Sequence, residues 1–368
     1  MEQDKRREPV RVLHIVGSMH PGGIQNFIMN LYENIDRTRV QFDVILHEQT
    51  EGDYCDRIRE LGGKVYKLPR MTGKPIENLR GIRKIVREGK YNIVIRHTPN
   101  AVVAPQLWAA KRGGAKCVIL HSHATDDPAK TLHRIGRFVS RHMKIQRFAC
   151  SEAAGQWMFG RNRPFTIVKN AIDTQHFAFS PEKRVAIREE LGIRDCKLYG
   201  HVGNFVPVKN HTFLMRVFAE LAREDSAARF ICVGDGELRV EIEEDAKMLG
   251  IKDKVFFAGI RHDTDAIMSS MDVLIFPSIH EGIPLTLIEA QAAGLPILMS
   301  EAVSKDVEVT ENLVHRRNIA EEPAVWASEA RILAGMTTTR ECQRERIVAA
   351  GYDISELVKW YEDYFINA

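Results

Sequence analysis

The chain has 368 residues, 44% apolar and 27% charged, enough for two globular cores of ordinary size and too many for one. It has no run of 18 uncharged apolar residues, no apolar leader behind its charged first nine residues and no metal-like spacing among Cys55, Cys117, Cys150, Cys196, Cys232 and Cys342, which predicts a cytoplasmic chain with neither a membrane-spanning helix nor export. The net charge of +3 hides an asymmetry, since residues 1–173 hold 30 Lys and Arg against 17 Asp and Glu while the remainder holds 22 against 32; a basic half without a nucleic-acid motif suits an anionic membrane face or a phosphorylated acceptor rather than nucleic acid.

Residues 11–17 predict a buried first strand, which runs through Gly22 and Gly23 into a helix patterned by Phe27, Ile28, Leu31 and Tyr32. A glycine pair between strand and helix lets a phosphate or a sugar approach the backbone closely. It is not the dinucleotide fingerprint, and no acid closes the second strand at 42–47 to hold a ribose, so a dinucleotide is not expected. Strands at 64–68, 92–97 and 116–121 then alternate with helices at 54–61, 76–87 and 102–112, the signature of a doubly wound parallel sheet. The fifth strand delivers His121 and His123 at its carboxyl end, where such sheets bind ligands. Residues 131–148 interleave Arg134, Arg137, Arg141, Lys144 and Arg147 with Leu132, Ile135, Phe138, Val139 and Met143, a pattern that fits an interfacial helix on anionic lipid and fits equally a covering helix with a solvated face. Ser151 is a good N-cap for a helix over 152–159.

A second domain opens with a strand at 198–202 that leads into Gly203, Asn204 and Lys209 ahead of a helix at 212–221. The next strands, 230–233 and 255–257, deliver Gly234-Asp235-Gly236 and Gly259-Ile260-Arg261. The richest stretch is 273–300. An apolar run at 273–276 reads as a buried strand; Pro277, Gly282 and Pro284 break regular structure; and Leu285, Leu287, Ile288, Ala292 and Ala293 take up helical spacing until Gly294 and Pro296 stop it. This helix N-terminus offers unpaired N–H groups and a positive dipole end to a diphosphate, bracketed by Glu281 in the loop and Glu289 inside the helix, which are able to accept bonds from sugar or ribose hydroxyls. Glu289 sits among small and apolar residues, a setting that predicts a partner for its carboxylate. Beyond Ser300 the pattern is weaker, with helices at 322–334, 340–350 and 354–365 and no clear signal at 310–318.

Glu281, Gly282, Ile283, Pro284, Leu285 and Glu289, with the trailing Glu-Ala-Gln-Ala-Ala-Gly-Leu-Pro, resemble the E-x7-E signature of family 4 glycosyltransferases, in the bacterial exopolysaccharide and capsule-biosynthesis branch. The resemblance implies the α/β GT-B fold, two doubly wound Rossmann-like domains facing each other across a deep cleft: an acceptor domain at 1–175, a donor-nucleotide domain at 176–350 and a terminal helix at 351–368 crossing back to the first. It implies donor contacts from Gly22, Gly23, His121, Asn204, Lys209, Arg261, Glu281, Gly282, Ile283, Pro284, Leu285 and Glu289, with His123, Lys209 and Glu281 closest to the chemistry and His123 favoured over His121 as the sugar contact. Asn204 stands where the family usually has Arg, so one of two phosphate-neutralising cations is missing, and Arg261 is a candidate replacement.

The implied activity is retaining, metal-independent transfer of a sugar from a nucleoside diphosphate sugar, UDP-sugar by expectation, to a lipid-linked saccharide acceptor. It needs no metal and no cofactor beyond the substrate nucleotide. It would proceed by a front-face route in which the leaving phosphate oxygen takes the acceptor proton. The alternatives are a UDP-sugar epimerase of the same fold and a non-catalytic sugar-nucleotide-binding partner of another transferase.

Overall fold

A computed structural model describes residues 8–20, 22–47, 51–336, 340–341 and 343–368; Cys342 lies outside them. The chain forms two compact units, 1–171 with 354–368 and 172–353.

The first unit is built on a parallel sheet of seven strands: β1 (Val10–Ile15), β2 (Val40–Leu46), β3 (Val65–Lys67), β4 (Ile93–Thr98), β5 (Cys117–Ser122), β6 (Gln146–Ala149) and β7 (Thr166–Ile167). Their spatial order is β3-β2-β1-β4-β5-β6-β7. Helices α1 (Gly23–Asn34), α2 (Tyr54–Glu60), α3 (Pro75–Glu88), α4 (Ala104–Gly113), α5 (Lys130–Arg141) and α6 (Glu152–Phe159) connect them. The central strands are buried on both faces, which is why they read as continuous apolar runs rather than alternating ones. One face packs Phe27, Ile28, Leu31 and Tyr32 of α1 against Phe42 and Val44; the other packs Ile82, Val86, Leu107 and Ala110 against Leu13, Val94 and Leu120.

The second unit has six parallel strands, β8 (Leu198–Val202), β9 (Arg229–Val233), β10 (Val255–Gly259), β11 (Val273–Phe276), β12 (Ile297–Ser300) and β13 (Val314–Arg317), in the order β10-β9-β8-β11-β12-β13. Its helices are α7 (Pro181–Glu190), α8 (His211–Glu224), α9 (Arg239–Met248), α10 (Thr264–Ser270), α11 (Leu285–Ala292), α12 (Pro323–Met336) and α13 (Arg344–Ala349); the last helix, α14 (Ile354–Asn367), belongs to the first unit. The passage between units falls between Ala171 and Ile172, four residues earlier than expected, because Ile172 pairs with Asp353 and its N–H bonds the Tyr352 carbonyl inside the second unit. β13 carried no sequence signal because only Val314 of its Val-His-Arg-Arg is apolar, and the strand lies at the sheet edge, partly exposed throughout.

In both sheets the strand order reverses beside the first strand of the unit, between β1 and β4 and between β8 and β11. Ligands of doubly wound sheets bind outside the carboxyl ends of the strands at such points.

Candidate functional site

In the second unit the loops that follow β8 and β11 meet at the reversal point. The β8 loop lies flat on its neighbour: a Cβ at Gly234, whose φ is +131°, would fall 2.3 Å from the Gly203 carbonyl oxygen, so no side chain fits there. After Phe205 the chain makes a single 3₁₀ turn, Pro207–Lys209, closed by Asn210 in the left-handed region at φ +57°. The Ile279 N–H bonds the Val208 carbonyl at 2.8 Å, and Asn210 Nδ2 donates to the Pro277 carbonyl at 3.3 Å. Thus fastened, the two loops bring Lys209 Nζ to 2.8 Å from Glu281 Oε1 and 4.5 Å from the centre of the Phe276 ring. Both members of the ion pair keep some exposure, 15% and 21%, so an anion can reach the ammonium and compete with the carboxylate for it.

Glu281 is held from the other side as well, its carbonyl accepting the Ser304 N–H at 3.1 Å. Gly282 is exposed, and Ile283, Pro284 and Leu285 are half-buried on the way into α11. Pro284 is the N-cap, extended at φ −68° and ψ 124°, and no side chain caps the helix; the Leu287 N–H bonds the Pro284 carbonyl at 3.1 Å, which leaves the N–H groups of Leu285 and Thr286 without a protein partner among the described residues. Glu289 lies one turn in. The expected partner of its carboxylate does not exist among the described residues; instead burial alone pushes the group up to about 7. Leu287, Ile288 and Ala290, which flank it on α11, are fully buried.

The other expected residues divide. Asn204 is exposed at the rim of the β8 loop. Arg261 is not a free cation: it bonds Glu190 at 2.5 and 3.1 Å and Asp263 at 2.8 and 2.6 Å. Beneath Lys209 lie residues that sequence reading passed over. His201 Nδ1–H donates to the Ile275 carbonyl at 2.9 Å, fixing the tautomer and leaving the Nε2 lone pair without a partner under Gly203. His211 stacks on Phe205 with ring centres 4.2 Å apart, and burial lowers it to about 4. The only hint was position, a His in a strand two residues before the Gly203 loop.

In the first unit, Gly22 is the extended N-cap of α1 and Gly23 its first residue; the Gly22 N–H reaches Asn26 Oδ1 at 3.4 Å, and Gln25 braces the loop by donating to the Ser18 carbonyl at 3.0 Å. His121 and His123 belong to a group of four imidazoles. His121 pairs with His97 across β5 and β4, and His14 and His97 stack from neighbouring strands. His14 Nδ1 lies 3.0 Å from His97 Nε2, and His97 Nδ1 lies 2.9 Å from His123 Nε2. Burial lowers all four, His14 and His123 to about 3, so each is a neutral ring at physiological pH. His97 and His14 were not singled out from sequence because each sits within an apolar strand.

Residues 196–331 match the family described as Glycosyl transferases group 1, and residues 21–176 match Glycosyltransferase Family 4. The chain is 32% identical over 364 residues to the putative glycosyltransferase EpsF of Bacillus subtilis, covering 95% of this chain and 94% of that one. It is 24% identical over 319 residues, 79% of each chain, to an Escherichia coli enzyme described as UDP-Gal:alpha-D-GlcNAc-diphosphoundecaprenol alpha-1,3-galactosyltransferase. Among solved structures, Anabaena HepE in complex with UDP superposes with a TM-score of 0.80 at 18% identity, over 97% of this chain and all of that one.

Proposed function

The chain belongs to the family 4 glycosyltransferases of GT-B fold, with relatives in polysaccharide biosynthesis, and from that premise we propose that it transfers a sugar from a UDP-sugar to a lipid-linked saccharide with retention and without a metal on the diphosphate. The observation that carries this reading is the Lys209–Glu281 pair set against the uncapped start of α11. A diphosphate entering there trades places with Glu281 on the ammonium and takes bonds from the free N–H groups of the helix. Glu281, released, turns to sugar hydroxyls, and Glu289 accepts from the ribose. The charge that develops on the leaving diphosphate is thus met by one fixed cation and a helix dipole. His123 is the proposed sugar contact, in a front-face route whose proton goes to the leaving phosphate oxygen.

UDP as the donor nucleotide is supported by the names of the E. coli relative and of the HepE complex, and a lipid diphosphate acceptor by the former. Contact with an anionic membrane is supported by α5. Its apolar residues Leu132, Ile135, Phe138 and Val139 are 56%, 58%, 64% and 45% exposed and lie among arginines, while His133, Gly136 and Ser140 face inward. No helix of the described residues is long and apolar enough to cross a membrane.

Incubating the purified chain with UDP-sugars and a polyprenyl diphosphate-linked saccharide tests the reading. Release of UDP that requires the acceptor, persists in excess chelator and yields a product of unchanged anomeric configuration is expected. Isomerised donor without UDP release, or loss of turnover on chelation that magnesium restores, overturns it.

A further inference from the structure

Four imidazoles packed together in an apolar setting pose a chemical question that a single sugar contact through His123 does not answer. Buried polar atoms are nearly always satisfied, yet both nitrogens of His121, Nδ1 of His123 and Nε2 of His14 are buried with no hydrogen-bond partner. His121, His123 and His97 crowd one another with ring centres 4.0 to 5.2 Å apart, and one ligating nitrogen from each lies within 4.8 Å of the other two. We propose that His97, His121 and His123 form a binding site for a divalent transition metal of the zinc class.

The donor set selects the ion. Neutral imidazole suits zinc, copper, nickel and cobalt, whereas magnesium, calcium and manganese prefer oxygen, and no carboxylate belongs to this group. The site is therefore distinct in chemistry from any ion that would bridge a diphosphate. Zinc at about 2.0–2.1 Å from each nitrogen holds tetrahedral ligands roughly 3.3 Å apart. Reaching that arrangement requires the 2.9 Å contact between His97 Nδ1 and His123 Nε2 to open slightly and the wider pairs to close, both by side-chain rotation. The hydrogen bond that would orient one ligand is already in place: with Nδ1 on the metal, His97 turns its Nε2–H to His14 Nδ1 at 3.0 Å. Phe27 and Phe148 stand with their rings nearly perpendicular to His121, walling the site with hydrocarbon. His123, half-buried, is the side from which an ion enters and where a fourth, exchangeable ligand sits. Because the site lies at the carboxyl ends of β4 and β5, an ion there ties two strands and the following turn together and raises the stability of the first unit by mass action.

Cobalt(II) reports the geometry directly. The tag-free, chelator-treated chain is titrated with Co²⁺, then with Zn²⁺, while visible absorption and melting temperature are followed, with Mg²⁺ as control. One equivalent of Co²⁺ with the intense absorption of tetrahedral coordination, displacement by Zn²⁺, a raised melting temperature and no response to Mg²⁺ are expected. His97→Phe and His121→Phe, each checked for native circular dichroism, should abolish the stoichiometric signal, and His14→Phe should weaken binding about 10–100-fold. Should those variants misfold, X-ray absorption of the zinc-loaded unmutated chain decides: three imidazole ligands sustain the site, and fewer than three overturn it. Octahedral or superstoichiometric cobalt, or a signal that survives both folded variants, also overturns it. The readout requires no sugar transfer, so it stands or falls apart from the proposed activity.

Discussion

Glu289 shows how a single carboxyl couples stability to ligand. Its folded value of about 7 lies above the ordinary 4.5, so the folded chain holds a proton there that the unfolded chain has lost. The sign follows: between those two values stability falls as pH rises, by up to about 3 kcal/mol, and stays lower above them. Glu289→Gln, which cannot ionise, is spared that loss. It should match the parent near pH 5 and melt higher near pH 8, and scanning calorimetry at the two pH values checks this. Ribose hydroxyls donate more strongly to the ionised carboxylate, so the parent's affinity for UDP should rise through neutrality while the variant's stays flat, read by titration calorimetry; a parent with a flat profile contradicts the ribose role. Lys209→Met removes the cation paired with Glu281 ahead of α11 and should lower kcat by about 10²–10³ with native melting retained, measured as acceptor-dependent UDP release. The places of Glu281 and Lys209 in loops after strands, and of Glu289 inside the following helix, were legible in the sequence from loop breakers and helix spacing. What was not legible is who holds whom: Arg261 reads as a free loop cation until Glu190, 71 positions earlier, is seen to take it.

Helix α5 shows the limit of periodicity at the level of an element. Its pattern separates an apolar from a basic and polar side, but spacing cannot tell which side faces the protein. Here the packing surface is the small and polar one. Gly136 meets the backbone at Ala101 so closely that a Cβ would fall 2.0 Å from its carbonyl oxygen, and His133 stacks on Trp157 with ring centres 4.0 Å apart while accepting the Ala101 N–H. The hydrocarbon of Ile135 and Phe138 is left outside, beside Arg134 and Arg141. Ile135→Glu with Phe138→Glu should therefore sharply reduce cosedimentation with vesicles containing anionic lipid while shifting the melting temperature little, since both side chains are already in water. A strong loss of stability would mean that the face is covered within the protein. Gly136→Ala is the opposite case: with no room for a Cβ it should destabilise the first unit by about 1–3 kcal/mol, seen in urea unfolding.

The two parallel sheets and most of their strands follow from apolar runs alternating with helical spacing, because a strand covered on both faces leaves that mark wherever it falls in the chain. Long-range closure leaves none. Helix α14 is amphipathic in sequence, but only the structure shows Val358, Tyr361 and Phe365 entering the core formed by α1 and β2, with Glu362 accepting the Asp36 N–H at 2.8 Å and bonding Arg39 at 2.5 Å. The chain thus leaves the first unit at Ala171 and returns at Ile354 to complete its core. Burying Ile354, Val358, Tyr361 and Phe365 stabilises by about 1.5–3 kcal/mol each on transfer grounds, in total comparable to the whole stability of a domain. Removing residues 354–368 should consequently unfold the first unit and spare the second, whose cores draw on none of those residues. Limited proteolysis of the truncated chain should leave a resistant fragment that begins near Ile172, and UDP should still raise its melting temperature. Cleavage spread evenly over both units would show instead that their folding is one cooperative event.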